Sequence, residues 1–248
     1  MKKTPFLLLA ILLLGTVSCH KEPAKVIAFG ATKGMAISAY DSIMEYDDSH
    51  HPFLLDLNEN GINDIKIETY YDGPLEIGEY QTLTLYCLNQ QTEILADSVV
   101  KEAYTHNETS IDTVNGYIRT SQYSVYSTCE KTAEDDFITT TKLFEAFAND
   151  NNDLLDIDSH FSSGKTILFK ENYDYSWGDS DEINQTIYTS HQKAIYDCWD
   201  FPTDVEKYIG FKITKDDESR LGWLKIKLIQ SWDNGPVHVK LIETAIQE

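Results

Sequence analysis

The chain is poor in positive charge: 20 lysines and arginines stand against 41 aspartates and glutamates, a formal charge of −21. A polyanionic partner would be repelled over the whole surface, which excludes nucleic acid and anionic lipid headgroups as general partners. Only four cysteines occur and no two form a CxxC pair, so a structural zinc site or a redox dithiol has no basis. HExxH and GxSxG are both missing. Ser162-Ser163-Gly164-Lys165-Thr166 has the end of a phosphate-binding loop without its beginning, because Ser159 stands where the first glycine belongs. His50, His51, His106, His160, His191 and His238 are scattered without ligand spacing. No internal repeat, low-complexity tract or proline-rich linker divides the chain. Its one long apolar run, Phe6 to Leu14, is well below the roughly 20 residues needed to span a bilayer.

That run sits in a recognisable context. Lys2-Lys3, the apolar stretch and Gly15-Thr16-Val17-Ser18-Cys19 follow the charged, apolar and small-residue order of a secretory signal. The Val-Ser-Cys ending resembles a lipobox, with Thr16 where leucine is usual, a looseness similar to lipoboxes of Bacteroidota. The resemblance implies that residues 1–18 are a cleaved signal peptide and that Cys19 carries diacylglycerol. Ordinary cleavage releasing a soluble protein is the alternative. Each buried acyl methylene adds about 0.8 kcal/mol, so the lipid would hold the protein on the outer membrane almost permanently. Residues 19–25 form a short tether, and residues 26–248 a single domain. His20-Lys21-Glu22 after the cysteine leaves the periplasmic and surface faces both open. Losing Lys2 and Lys3, with no acid, moves the charge from −21 to −23.

With Cys19 lipidated, Cys87, Cys129 and Cys198 allow one disulfide and one free thiol in an oxidising compartment. Cys87 follows Leu83 and Leu85 at period two, which places it on an inward strand face either bridged or as a buried thiol.

Period-two patterning dominates the mature chain. Ile65, Ile67, Thr69 and Tyr71 share one face, with Asp64, Lys66, Glu68 and Tyr70 on the other. Further strands are predicted over Gln81 to Leu88, Thr92 to Val100, Gly116 to Ser127, Lys165 to Phe169, Gln185 to Thr189 and Tyr208 to Ile213. The clearest hairpin is last: Leu224, Ile226 and Leu228 alternate with lysines, then Asp233-Asn234-Gly235-Pro236 turns the chain into Val237, Val239 and Leu241. Leu143, Phe144 and Phe147 share a helical face, which predicts one short helix over Thr139 to Ala148 before the acidic loop Asn149 to Asp158. Many short strands between turn-rich acidic loops predict an all-β protein, an antiparallel, jelly-roll-like β-sandwich.

The strongest candidate site is Asp56-Leu57-Asn58-Glu59-Asn60-Gly61-Ile62-Asn63-Asp64, which has the spacing D-x-[DN]-x-[DN]-G-x-x-D. Calcium takes six to eight hard oxygens at about 2.3–2.6 Å. Side chains of Asp56, Asn58, Asn60 and Asp64, with the Ile62 carbonyl, can converge on one ion, and Gly61 permits the sharp turn. The helical version of such a loop needs glutamate at its twelfth position, which is Ile67 in a strand here. The strand-loop-strand version, closed by aspartate at the ninth position, fits better. Two carboxylates imply modest affinity and a structural role. An ion-free Asn/Gly turn has the same composition.

Tyr173, Tyr175 and Trp177 fall on one strand face beside Glu171, Asp179 and Asp181. Rings stack on the apolar faces of pyranoses and acids take their hydroxyls, so this is a candidate glycan platform; the alternation equally describes a core-facing strand. Asp41-Ser42-Ile43, Asp97-Ser98-Val99 and Asp112-Thr113-Val114 resemble the Asp-Ser/Thr-apolar acceptor of Bacteroidota O-glycosylation, which would require exposed hydroxyls.

The Asp56–Asp64 loop, taken with Tyr208-Ile209-Gly210-Phe211 and Gly222-Trp223-Leu224-Lys225-Ile226, resembles secreted or lipid-anchored β-sandwich proteins of Bacteroidota. These have an early DxNxDGxxD loop and a late YIGF…GW strand pair. The likeness covers about a fifth of the chain and implies no enzymatic activity. The expectation is a non-enzymatic, calcium-stiffened cell-envelope module that binds a glycan or an envelope protein. A glycan-binding module of a polysaccharide-uptake system and a glycan-active hydrolase are the alternatives.

Overall fold

Alternating side chains in most segments give the backbone one way to bury its apolar half, and the described residues are mostly strand. The computed structural model describes residues 24–45, 51–72, 80–127, 136–172, 180–183, 186–195, 201–231 and 237–248. Its strands begin with β1 (Val26–Ala28), β2 (Met35–Met44), β3 (Phe53–Leu55), β4 (Ile65–Asp72), β5 (Tyr80–Cys87) and the long β6 (Thr92–Val114). Then come β7 (Tyr117–Ser127), β8 (Asp136–Ala146), β9 (Leu154–Asp156), β10 (Phe161–Ser162), β11 (Lys165–Asn172), β12 (Ser180–Ile183) and β13 (Thr186–Ile195). β14 (Glu206–Lys215), β15 (Glu218–Gln230) and β16 (Val237–Gln247) follow.

Two sheets share β6. One runs β2-β16-β15-β14-β6, and the other β6-β8-β11-β5-β4-β3, with β7, β13 and β12 continuing from the outer part of β6. β6 pairs with β14 only through Thr92–Ile94 and with β8 from Ala96 onward, so it leaves one sheet and enters the other within a few residues. Pairing is antiparallel except for β13 beside β7 and a short β8–β11 contact.

The sheets face each other across a continuous apolar core. Ile65 and Ile67 of β4 and Leu83 and Leu85 of β5 meet Ile209 and Phe211 of β14, Leu224 and Ile226 of β15, and Val239 and Leu241 of β16. Thr69 joins the buried row that the period-two pattern assigned to Ile65 and Ile67, while Tyr70 is exposed. Gln81 ties the layers together at the margin. Its side-chain amide donates to the Val237 carbonyl at 2.6 Å and accepts from the Val237 amide at 2.7 Å, as a neighbouring strand would.

A smaller core lies on the outer side of the β14–β15–β16 sheet, where β1 and β9 pair as a separate ribbon. Ile27, Phe29 and Leu155 cover Tyr208, Leu221 and Trp223 there. Gly210 makes room for this ribbon, since a Cβ on it would stand 2.9 Å from Leu155 Cδ1. The YIGF and GW segments are therefore packing devices between layers.

The expected helix over Thr139 to Ala148 is a strand. β8 occupies Asp136–Ala146 and pairs with β6 from Ala96 to Thr105. A three-residue helical face could not outweigh the run Thr139-Thr140-Thr141, whose branched Cβ atoms favour extended backbone, nor the hydrogen bonds β6 offers alongside. Phe144 and Phe147 remain exposed rather than forming a buried stripe. The period-two pattern ends one strand near Val100, whereas β6 continues to a turn at Asn115-Gly116. Both turn residues have positive φ, 53° and 86°, the geometry an Asn-Gly pair favours in a two-residue hairpin.

Candidate functional site

The Asp56–Asp64 loop connects β3 to β4, and its short polar side chains wind it. The two carboxylate oxygens of Asp56 accept from the Asn60 amide at 3.1 Å and the Gly61 amide at 2.6 Å. Asn60 Oδ1 in turn accepts from the Ile62 amide at 2.8 Å. Glu59 and Gly61 take positive φ, 55° and 84°, which reverses the chain twice in a short span. A Cβ on Gly61 would meet nothing within 4 Å, so glycine is needed there for its backbone conformation alone.

Asp64 anchors the far end of the loop. Its side chain is 2% exposed, and Oδ2 accepts from the Leu57 amide at 2.9 Å. Oδ1 accepts from the Asn89 side chain at 2.8 Å and the Thr92 hydroxyl at 3.4 Å. These donors replace the water that the Asp64 carboxylate loses on burial. Asn89 and Thr92, in the turn from β5 to β6, thus belong to this site. The sequence signal for them is an Asx turn: Asn89 Oδ1 accepts from the amides of Gln91 and Thr92, both at 3.0 Å.

Asn58 differs from its neighbours. Its Oδ1 is buried and has no hydrogen-bond partner among the described residues, although Asp56, Asn60 and Asp64 each have theirs. An unpartnered buried carbonyl oxygen costs about 1–3 kcal/mol, and a hard cation is one group that relieves it. Among the described residues no three His, Cys, Asp or Glu side chains form a metal-binding group. The candidate shell is of another kind, amide and carbonyl oxygens with the carboxylates of Asp56 and Asp64. Beside it, Asn58 and Asn60 line a cavity of about 340 Å³ whose other wall includes Lys215, Asp216, Glu218 and Arg220 around the β14–β15 turn.

The remaining candidates divide by location. Cys19, Tyr173, Tyr175 and Trp177 lie outside the described residues, as do Cys129, Cys198 and the Asp233–Pro236 turn. Cys87 is a free thiol, half-buried, with Sγ 3.6 Å from the Ser162 carbonyl. Burial, with Glu93 nearby, pushes its pKa up to about 12. Ser42, Ser98 and Thr113, the hydroxyls of the three Asp-Ser/Thr-apolar triplets, are all exposed.

No protein-family model, curated protein or solved structure matches this chain.

Few cations are available to this acidic protein, and on the β14–β15–β16 sheet several are engaged. Lys225 lies 2.7 Å from Glu206 and 3.8 Å from Glu243, and Lys240 lies 2.8 Å from Asp41. Lys207 reaches Asp150 at 2.6 Å, tying the acidic loop to β14.

Proposed function

We propose that this chain is an exported lipoprotein, anchored at the outer membrane through Cys19, that works as a non-enzymatic binding module of the cell envelope. Its Asp56–Asp64 loop holds a structural calcium ion. The observation that carries the calcium assignment is the buried, unpartnered Oδ1 of Asn58 in a loop where Asp56, Asn60 and Asp64 already accept hydrogen bonds. The ion would take Asp56, Asn58 and Asn60 through side-chain oxygens, the Ile62 carbonyl, and Asp64 through the free lone pair of Oδ2. Holding these oxygens together fixes the β3–β4 connection beneath the β5–β6 turn. Calcium is therefore a brace, and the envelope partner, a glycan or a protein, binds elsewhere on the sandwich.

The anchor is supported by the order of Lys2-Lys3, the apolar run and Val17-Ser18-Cys19. Mass spectrometry of the membrane fraction tests it: a diacylglyceryl-cysteine N-terminus is expected, and an unmodified thiol at Cys19 would overturn it. Calcium and EDTA melting curves test the brace.

A further inference from the structure

We infer that the cleft where β6 passes from one sheet to the other is a binding site for a neutral sugar, a mono- or disaccharide unit with an apolar ring face. This rests on the reading of the chain as a binding module and gives it a location. The change of partner at Glu93–Ser98 opens a cavity of about 400 Å³ between β8, β10 and the end of β14. Binding pockets for small ligands run from about 300 to 1,000 Å³, so this one suits one or two sugar rings.

Its walls select the chemistry. Phe144, directly opposite Ser98 in the β6–β8 pairing, is 38% exposed and offers a bare aromatic surface. Phe161 lines the same cavity, with the Lys212 ammonium 4.4 Å from its ring centroid. Lys212 and the His160 ring each face an acid: Lys212 lies 2.9 Å from Glu93, and His160 Nδ1 lies 3.0 Å from Asp97. A phosphate would meet two carboxylates, and an organic cation would meet Lys212. A neutral polyol meets donors and acceptors in matched pairs, which is what hydroxyls need, since each both gives and takes a hydrogen bond. Sugar C–H groups then pack on the exposed part of the Phe144 ring.

Titration of the isotopically labelled mature protein with cellobiose, maltose and N,N′-diacetylchitobiose, followed by backbone amide NMR, tests the assignment. Glucose 6-phosphate and choline serve as charged probes. At least one neutral disaccharide is expected to shift the amides of Ser98, Phe144 and His160, with a Kd near about 1 mM and weaker binding of both charged probes. Phe144→Ala should weaken binding about tenfold, Phe144→Tyr should retain it, and Asp97→Asn should weaken it while leaving the melting temperature unchanged. The assignment is overturned if no disaccharide shifts these amides up to about 20 mM, if a charged probe binds more tightly, or if Phe144→Ala binds as wild type does. A calcium-dependent melting shift that survives such a negative result would leave the module and its brace standing and remove only the cleft.

Discussion

Phe211 and Gly222 stand directly opposite each other in the β14–β15 pairing, and the phenyl ring fills the space a side chain at position 222 would need. A Cβ there would lie 2.2 Å from Phe211 Cζ and 2.5 Å from the Ala245 carbonyl oxygen. The ring can swing away, but the carbonyl belongs to the β16 backbone. Gly222→Ala should therefore cost about 3 kcal/mol, the upper range for overpacking, read as a lower urea midpoint at unchanged slope. Phe211→Leu on the same background should not restore stability. A neutral Gly222→Ala would show that the sheet relaxes there.

Gln81 replaces strand pairing at the sandwich margin. Besides its two bonds to Val237, its Nε2 donates to Thr69 Oγ1 at 3.1 Å, all in a buried setting. Gln81→Leu keeps the volume and removes the partner of the Val237 amide and carbonyl, an expected loss of about 2–4 kcal/mol in denaturant unfolding. Hydrogen exchange at the Val237 amide should rise in parallel, and unchanged exchange would refute the bridging role.

The Cys87 thiol should behave as a small apolar group. Folding raises its pKa from the ordinary 9.0 to about 12, so the folded state holds the proton more tightly. The resulting stabilisation is complete below pH 9 and is lost as pH climbs toward 12, because the unfolded chain ionises first. Alkaline unfolding of wild type against Cys87→Ala isolates this contribution, and wild type should lose stability more steeply between those limits. Iodoacetamide at pH 8 should label Cys87 only after unfolding.

Asp64 should matter with or without calcium. Asp64→Ala leaves the Leu57 amide and the Asn89 side-chain amide without their acceptor, while the Thr92 hydroxyl keeps Asn89 Oδ1 at 3.0 Å, and should cost about 3 kcal/mol even in EDTA. Asp64→Asn, which turns a donor toward some of those donors, should lie between wild type and alanine. Equal stability of all three proteins in EDTA would contradict the anchoring role.

How much of this was legible in the sequence depends on whether neighbours or distance decide. The β4 alternation and the Leu224–Leu241 hairpin name their buried residues correctly because period two is local: Ile65, Ile67, Leu224, Ile226, Leu228, Val237, Val239 and Leu241 are all essentially unexposed. The strand at Thr139 is hidden because Leu143, Phe144 and Phe147 share a face only in a helix, and the edge of β6, which decides for strand, is distant in sequence. The loop from Asp56 to Asp64 was visible as a motif, yet the inward turn of Asp64 toward Asn89 and Thr92 joins residues 25 and 28 positions apart. The cleft was invisible for the same reason. Glu93, Phe144, His160 and Lys212 come together only because β6 belongs to two sheets.

The calcium brace is tested most directly through Asn58, because its Oδ1 makes no protein hydrogen bond that a substitution would remove. Melting of wild type and Asn58→Ala is compared in EDTA and in calcium at about ten times the apparent Kd, where binding contributes roughly 1.4 kcal/mol. Wild type should rise by about 3–6 °C on adding calcium and Asn58→Ala by less than about 1 °C, and in EDTA Asn58→Ala should melt at or above wild type because it lacks the unpartnered oxygen. An equal calcium response in both proteins, or none in either, would contradict an ion held by this loop.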